Sequence, residues 1–282
     1  MLGVQREIVF LPMTLLAAWV GVDNNRLGPK ISSLYIASDS RISWGIQEKF
    51  DGKQKVLGMI NHPDIFGYCG DIDFTENILN QIVQHGDSNL LFPKHALPDD
   101  KFDIIGNKIG SALSTYPKNL ISQSFSLIYA TRDLLGHFHA YKFSWSKPKG
   151  LESSKIQLPL HSDIIFVAGS GREDFLKKCH SAFDLSARNN FRTCRTVYHC
   201  FTETLDQTEV YSVGGPPQIV GLYRKFNAQF FGIIQSGKKY FKGTKVLSTE
   251  NLNFVQWRNE LFERCDPESL TLLMDAQRQP KQ

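Results

Sequence analysis

The chain has 282 residues, of which 41% are hydrophobic, 12% aromatic and 21% charged. This is the composition of a globular protein, and it disfavours disorder, collagen-like repeats and coiled-coil arrays. A net charge of +4, without Lys/Arg runs interleaved with aromatic residues, gives no indication of a nucleic-acid partner. The length fits one large domain or two small ones.

The N-terminal apolar stretch Ile8–Val22 resembles the core of a signal peptide. It is short for a membrane span and Pro12 interrupts it, so we favour a buried strand that starts near Met13. A secreted or membrane-anchored protein is the alternative. The cysteines lie far apart and form no C-x-x-C pair, which predicts reduced thiols in a cytoplasmic protein rather than a disulfide framework.

Apolar runs in the first half of the chain predict strands at Leu15–Val22, Leu34–Ser38 and Phe66–Cys69. The turn residues of Asp23–Lys30 join the first two strands as a hairpin. Residues at helical spacing then predict two amphipathic helices, one containing Phe74, Ile78, Leu79, Ile82 and Val83 and the other Phe102, Ile105, Ile109, Ala112 and Leu113.

The second half repeats this order of strands followed by helices. The predicted strands are Ser122–Thr131, His137–Trp145 and Asp163–Ala168. The two predicted helices contain the stripes from Phe175 to Phe183 and from Cys194 to Leu205. A predicted hairpin then closes the domain, with strands at Ile219–Lys225 and Gln229–Gln235. Because strands and helices run in blocks, the order favours antiparallel sheets covered by helices over a doubly wound parallel sheet. The predicted core contains Leu16, Ala18, Ile36, Phe125, Leu127, Ile165, Val167, Leu222 and Ile233.

Several short stretches resemble the proteasome-type β-subunits, which belong to the N-terminal-nucleophile (Ntn) hydrolases. In chain order they are Met13–Trp19, Ile36–Arg41, Lys55–Leu57, Phe66–Asp71, Ala168–Gly171 and Tyr211–Gly215. The resemblance extends over residues 13–238 and is nearest to small bacterial proteasome-like hydrolases whose reading frames open with Met-Thr.

The resemblance implies an α+β fold, a four-layer αββα sandwich of two antiparallel sheets. Residues 14–240 would form this domain, between an N-terminal extension over residues 1–13 and a C-terminal extension over residues 241–282. We expect that last segment to be partly helical over Asn253–Arg264 and frayed at its end. The resemblance also implies a threonine hydrolase of peptide or other amide bonds, with Thr14 as the nucleophile and its own α-amine, or a water beside it, as the base.

Further catalytic roles follow from the same resemblance. Lys55 matches the lysine beside the nucleophile, whose charge lowers the proton affinity of the threonine oxygen, and Asp39 matches the acid that orients that lysine. The backbone N–H of Gly67 matches the oxyanion donor. Ser170 and Ser212 match two serines near the α-amine.

Two features depart from the family pattern or stay open. The family's supporting aspartate falls on Glu209, which leaves that role unassigned. By the same matching, the pocket for the substrate side chain before the cut bond would be lined by apolar residues and one lysine: Ile42, Lys53, Leu57, Ile65 and Cys69.

Thr14 is internal in the printed sequence, so its α-amine must be exposed before it can act. Translation from Met13 followed by aminopeptidase trimming would expose it, and so would removal of residues 1–13 as a propeptide. A third alternative is an inactive relative that keeps the extension. A non-catalytic assembly subunit and a non-peptide amidase are the rival functions, although the Asp39–Lys55 pair favours catalysis.

The sequence predicts no cofactor and no metal. His137 and His139 share one face of a strand and could bind a metal ion, but no third ligand is apparent nearby. The expected partners are a peptide or amide substrate and further copies of the chain in a homo-oligomer. The sequence does not identify an unfoldase partner.

Overall fold

The computed structural model describes residues 14–26, 28–44, 48–117, 119–187 and 193–278. The strands of the first half are β1 (Leu16–Asn25), β2 (Gly28–Ser38), β3 (Arg41–Trp44), β4 (Glu48–Asp51), β5 (Val56–Gly58), β6 (Asp64–Gly70), β7 (Phe125–Arg132) and β8 (Phe138–Ser146). Those that follow are β9 (Gly150–Ile156), β10 (Asp163–Ala168), β11 (Gln218–Tyr223), β12 (Gln229–Gln235), β13 (Lys238–Phe241), β14 (Thr244–Lys245), β15 (Gln256–Arg258) and β16 (Arg264–Cys265). The helices are α1 (Ile72–Asp87), α2 (Pro98–Thr115), α3 (Arg172–Ala187) and α4 (Cys194–Gln207).

The strands form two large sheets and one separate hairpin. The first sheet runs in the order β10-β1-β2-β11-β12-β13-β14, with β15 and β16 attached at β12, and the second runs β5-β6-β7-β8-β9. The hairpin is β3-β4. The pairings among the described residues are antiparallel except that of β12 with β15. The prediction of antiparallel sheets combined with helices is confirmed.

The first hairpin is longer than the sequence predicts. Residues assigned to its turn pair as strand, down to Asn25 opposite Gly28. Gly28 has a φ of +105°, a conformation that glycine adopts without steric cost, so the chain reverses tightly there. The predicted turn over Asp23–Lys30 is therefore mostly strand, because cross-strand pairing outweighs the turn preference of its polar residues.

Side chains alternate along β1 between two apolar clusters. Leu15, Ala17 and Trp19 pack in a cluster with apolar residues of α3 and α4. Leu16 and Ala18 face the other way, into a cluster that includes side chains of the second sheet. A third cluster joins the opposite face of the second sheet to α1 and α2. Successive side chains of a strand point to opposite faces, and both faces of β1 are buried. The strand is therefore an unbroken apolar run in the sequence.

Most of the predicted core is buried. The side chains that the structure confirms as buried are Leu16, Ala18, Ile36, Phe125, Leu127, Leu222 and Ile233. Ile165 and Val167 are only half-buried. Both lie on β10, which forms the edge of its sheet and therefore has a strand on one side only.

The four helices are positioned by their apolar stripes. α1 begins where the side chain of Asp71 accepts a hydrogen bond from the N–H of Phe74, and it buries one face that includes Ile78 and Ile82.

Over the described residues, no helix combines the length and the apolar character that crossing a membrane requires.

The predicted helix over Asn253–Arg264 is wrong. This segment contains β15 and the start of β16, with β15 parallel to β12. Phe262 has a φ of +61°, which an α-helix does not allow, and its ring is buried in the cluster that contains Trp19. The helical pattern was weak, and burial of Trp257 and Phe262 decides the local structure. The predicted extension over residues 1–13 and the last residues of the predicted frayed end, 279–282, lie outside the described residues.

Candidate active site at Thr14

Thr14 lies directly before β1 and only 1% of its surface is exposed. Its backbone N–H donates to the hydroxyl of Ser170 at 3.4 Å, and its carbonyl oxygen accepts from the N–H of Gly171 at 3.2 Å. Gly169 has a φ of +96°, and a Cβ there would lie 2.0 Å from the Thr14 carbonyl oxygen. The Gly-Ser-Gly turn after β10 therefore fixes the backbone of Thr14, and its first position requires glycine.

The side chain of Lys55 contacts the Thr14 hydroxyl. Its Nζ lies 2.6 Å from Oγ1 of Thr14, 2.8 Å from Oδ1 of Asp39 and 2.5 Å from the carbonyl oxygen of Arg41. An ammonium group has three protons to donate, so these three oxygens satisfy a charged Lys55. Thr14, Asp39 and Lys55, which the sequence predicts to act together, form one buried hydrogen-bonded group.

Asp39 also connects this group to the backbone around it. Its Oδ1 accepts from the N–H of Leu15 at 3.1 Å, and its Oδ2 accepts from the N–H groups of Arg41 at 3.3 Å and Gly214 at 3.2 Å. The same carboxylate therefore fixes the residue after Thr14 and pairs with Lys55. Because it follows directly on β2, its position depends on the pairing of β1 with β2.

Burial is the main influence on the protonation of the Asp39–Lys55 pair. It lowers the pKa of Lys55, and the neighbouring Asp39 charge acts in the opposite direction. It also raises the pKa of Asp39, against the charge and hydrogen bond of Lys55. Each charged form is therefore maintained by its partner, and loss of either would leave an uncompensated charge in the interior.

The predicted serines lie together beside the Thr14 backbone. Ser170 Oγ is 2.9 Å from Ser212 Oγ, although 42 residues separate them in the sequence. The segment carrying Ser212 is held by Arg41, whose guanidinium donates to the carbonyl oxygens on either side of that serine at 3.1 and 3.0 Å. Arg41 also forms a two-pronged ion pair with Asp51 at 2.7 and 2.8 Å. No local pattern in the sequence marks this role of Arg41, because the contacts span about 170 residues of chain.

The predicted oxyanion donor Gly67 does not fit the sheet register. Successive N–H groups on a strand point to opposite sides. The N–H of Tyr68 donates toward β5, to the Lys55 carbonyl oxygen at 3.1 Å, whereas the N–H of Asp71 donates toward β7. Gly67 alternates with Tyr68 and shares the direction of Asp71, so its N–H points to β7 and away from Lys55.

Gly70 is a second glycine at the end of β6, and its N–H has the opposite direction to that of Gly67. It lies two residues after Tyr68, so its N–H points to the same side as that of Tyr68, toward the segment that precedes β5. It has a φ of +98°, and a Cβ there would lie 2.1 Å from the carbonyl oxygen of Ser124. The sequence signal was the Gly70-Asp71 pair that ends β6 and begins α1, a position where the bare backbone can approach a ligand.

The residues predicted to line the substrate pocket lie in several parts of the structure. Ile65 and Cys69 belong to the apolar cluster between β1 and the second sheet, and Leu57 belongs to the cluster beneath α1 and α2. Lys53 forms an ion pair with Glu76 of α1. Cys69 lies close to the candidate site, because the charges of Lys55 and Asp39 both influence the pKa of its thiol. Ile42 lies on β3, directly after Arg41.

Two other candidates lie away from Thr14. Glu209 is exposed and lines a groove between α3 and α4. His137 pairs with Asp133 at 3.0 Å. Within the ranges that the structure describes, no group of three or more His, Cys, Asp or Glu side chains could bind a metal ion.

Comparison with known proteins finds similarity only to solved structures. No protein-family model matches the chain, and no curated protein matches it. Anbu (ancestral beta-subunit) from Yersinia bercovieri is 13% identical with a TM-score of 0.49, over 74% of this chain and 81% of that chain. An Anbu (Gly-1) mutant from Hyphomicrobium sp. strain MC1 is 16% identical with a TM-score of 0.49, over 86% of this chain and 90% of that chain.

These findings correct the family assignment made from the sequence. The assignment to the proteasome-type β-subunits is wrong, because the two similar structures named above are Anbu proteins, which are proteasome-like but distinct. At this identity and TM-score, the likeness assigns no activity to this chain.

Proposed function

We propose that this protein is an N-terminal threonine hydrolase that cleaves amide bonds with the hydroxyl of Thr14. The observation that supports the proposal is the buried group in which Nζ of Lys55 lies 2.6 Å from Thr14 Oγ1 and 2.8 Å from Asp39 Oδ1. A positive charge at hydrogen-bond distance favours the deprotonated hydroxyl, and that is the form that attacks a carbonyl carbon.

The base in this mechanism is the α-amine of Thr14 itself. A peptide nitrogen has no basic lone pair, so a chain that continues through Met13 lacks this base. The amine would occupy the position of the Thr14 backbone nitrogen, 3.4 Å from Ser170 Oγ, which in turn contacts Ser212. Exposure of Thr14 as the first residue is therefore a condition of activity.

The reaction then proceeds in two stages, formation of an ester on Thr14 and hydrolysis of that ester. The α-amine takes the proton of Thr14 Oγ1 as that oxygen forms a bond to the carbonyl carbon, and the negative charge on the carbonyl oxygen is stabilised by a backbone N–H at the end of β6. The carbon–nitrogen bond breaks, the leaving amine takes the proton, and an ester on Thr14 remains. Water hydrolyses the ester with the same amine as base, which releases the acid and restores the threonine.

Three further expectations belong to the same proposal. The layers are ordered helix, sheet, sheet, helix, with the active site at one end of the paired sheets. The substrate is a peptide or another amide, and the protein forms a homo-oligomer. A stable monomer in sedimentation at micromolar concentration would count against the last of these without affecting the chemistry.

The decisive experiment compares two forms of the protein. One is released from a cleavable fusion so that Thr14 is its first residue, and the other keeps residues 1–13; intact mass verifies both. An epoxyketone probe reacts with the hydroxyl and the free amine of an N-terminal threonine. We expect the probe to label Thr14 only in the first form, and that form alone to hydrolyse members of a fluorogenic peptide panel.

Thr14→Ala with residue 14 as the first residue is the matched control, because it removes the nucleophile and keeps the amine. Equal probe labelling or hydrolysis by Thr14→Ala would overturn the proposal. An inert, unlabelled protein with Thr14 exposed and the fold intact would favour the non-catalytic assembly subunit.

A further inference from the structure

A buried glutamine, Gln218 at the start of β11, lies between the two segments that carry Asp39 and Lys55. Only 1% of its surface is exposed. Its Oε1 accepts from the backbone N–H of Lys55 at 2.8 Å and from that of Val56 at 3.2 Å. One side-chain oxygen therefore holds the backbone of Lys55, 163 residues away in the chain.

The amide nitrogen of the same side chain contacts the Asp39 segment. Its Nε2 lies 3.0 Å from the carbonyl oxygen of Asp39, 3.0 Å from Ser40 Oγ and 2.8 Å from the carbonyl oxygen of Lys53. The oxygen faces two donors and the nitrogen faces acceptors, so this orientation of the amide is the one that fits its surroundings. Aspartate or glutamate could not donate these bonds when ionised, and an apolar side chain could make none of them.

A turn near the C-terminal end of the chain covers this glutamine. Gly243 has a φ of +87°, and a Cβ there would lie 2.5 Å from Ser40 Oγ and 3.1 Å from Gln218 Nε2. The hydroxyl of Ser40 in turn donates to the carbonyl oxygen of Pro216 at 2.5 Å. The turn between β13 and β14 thus packs directly against the residues that support Asp39.

From these contacts we infer that Gln218 is a positioning residue for the Asp39–Lys55 pair, and that the Gly243 turn holds it in place. The inference rests on the proposed function, because the pair it positions is the one that activates Thr14. The hydrogen bonds of Gln218 go to the segments that carry Lys55 and Asp39 rather than to Thr14 Oγ1, so it acts through Lys55 and Asp39. Its loss would displace the Lys55 ammonium rather than remove it.

The first test is kinetic. Gln218→Met keeps the length of the side chain and removes its hydrogen bonds. We expect kcat to fall about 10²-fold, because a displacement on the order of 1 Å in a catalytic group has that effect, while KM stays within about twofold. Thr204→Val is the matched control: it removes a buried hydrogen bond of α4, to the Cys200 carbonyl oxygen at 2.7 Å, and should leave kcat unchanged.

The conservative variant sharpens this test. Gln218→Glu keeps the acceptor for Lys55 and Val56 and can donate one bond when its carboxyl is protonated. We expect its kcat, relative to that of Gln218→Met at each pH, to rise as the pH is lowered. A constant ratio across the pH range would contradict a positioning role that depends on donation to the Asp39 segment.

The second test does not depend on activity. Amide hydrogen exchange followed by NMR should show the Lys55 and Val56 N–H groups protected in the parent and in Thr204→Val, and faster to exchange in Gln218→Met. Gly243→Ala, which places a methyl group against Ser40, should change exchange and kcat in the same direction. Faster exchange at Lys55 with an unchanged kcat would overturn the inference while leaving the proposed function standing. An inert parent protein would sink the proposed function, and the exchange data would still decide whether Gln218 holds the Lys55 segment.

Discussion

Two buried aspartate–lysine pairs lie in the part of the chain that the structure describes, and their surroundings differ. In both, Nζ of the lysine lies 2.8 Å from a carboxylate oxygen, and both aspartates, Asp39 and Asp64, have no exposed surface. Lys55 is joined to the hydroxyl of Thr14, whereas the partner of Lys101, Asp64, accepts from the phenol of Tyr129 at 2.6 Å.

The second pair has no nucleophilic side chain among its partners, so a buried ion pair is not by itself the basis of the proposed activity. Lys101 connects α2 to the second sheet, and its ammonium lies 4.9 Å from the centre of the Phe92 ring, so its surroundings are those of a structural contact. Lys55 contacts a threonine hydroxyl at the start of a strand, next to a glycine-rich turn that leaves the backbone bare. The neighbouring threonine hydroxyl, which we propose as the nucleophile, distinguishes the two sites rather than the charge pair.

The largest expected effect is at Thr14. With residue 14 as the first residue, Thr14→Ala should abolish hydrolysis, because no other hydroxyl lies against Lys55 among the contacts of this site. Thr14→Ser should keep part of the activity, since it retains the hydroxyl. Steady-state hydrolysis and circular dichroism would check activity and fold together. Measurable hydrolysis by the alanine variant would place the chemistry elsewhere.

The next effect separates the two lysines. Lys55→Met should lower kcat about 10²- to 10³-fold, the usual loss for one electrostatic helper. Lys101→Met should leave kcat near the parental value and lower the free energy of unfolding by about 3 kcal/mol, because Asp64 loses its cationic partner. Denaturant unfolding and kinetics on both variants would test the distinction. If Lys101→Met stays folded and loses as much activity as Lys55→Met, the proposed distinction between the two lysines is wrong.

Paired replacements sharpen the same contrast. Lys101→Met combined with Asp64→Asn removes both charges and should recover much of the lost stability, as should Lys55→Met combined with Asp39→Asn. Only the double variant of Lys101 and Asp64 should hydrolyse substrate, because it keeps Asp39 and Lys55. Recovery of activity in the second would show that the Asp39–Lys55 pair serves packing alone.

The pH profile follows from the protonation of Thr14 and Lys55. The α-amine must be neutral to act as base, so activity should rise with pH through the amine pKa, ordinarily about 8. Lys55 must be charged, and burial lowers its pKa below the ordinary 10.5. Activity should therefore fall as the pH rises through the pKa of Lys55, at a pH below 10.5. Asp39→Asn should move the falling limb to lower pH, because it removes the charge that opposes the effect of burial. If the loss of activity at high pH occurs at the same pH in Asp39→Asn, a group other than Lys55 causes that loss.

The smallest expected effect is at Tyr129. Tyr129→Phe removes its hydrogen bond to Asp64 and should cost about 1 kcal/mol of stability, because Lys101 still satisfies that carboxylate. Thermal or denaturant unfolding would measure it, with hydrolysis unchanged. A loss of activity at constant fold would show that the second pair also communicates with Thr14.

The sequence predicted those parts of the fold that local pattern controls. The apolar runs of β1 and β10 and the helical stripes of α1 and α4 are visible because burial imposes its period on the residues. The exposed strand β9 was missed because none of its residues is buried, so it carries no apolar alternation. The tail was misassigned because Trp257 and Phe262 are buried against residues far away in the chain.

The site was predictable only in part for the same reason. Thr14, Asp39 and Lys55 stand at strand ends in short recognisable stretches. The alternation of N–H directions along β6, which separates Gly67 from Gly70, is not visible in residue matching. The contacts of Gln218 join segments more than 160 residues apart, and no local pattern marks such a residue.

The position of β1 in its sheet has a consequence for how the protein is made. β1 is synthesised first but pairs on one side with β10, with Ala17 opposite Val167, and its outer face packs in the same cluster as Phe262. Such long sequence separations slow folding, and the ribosome must complete most of the chain before the sheet can close. Until then the apolar strand that follows Thr14 is uncovered, so an unfinished chain exposes a segment of the kind that favours aggregation.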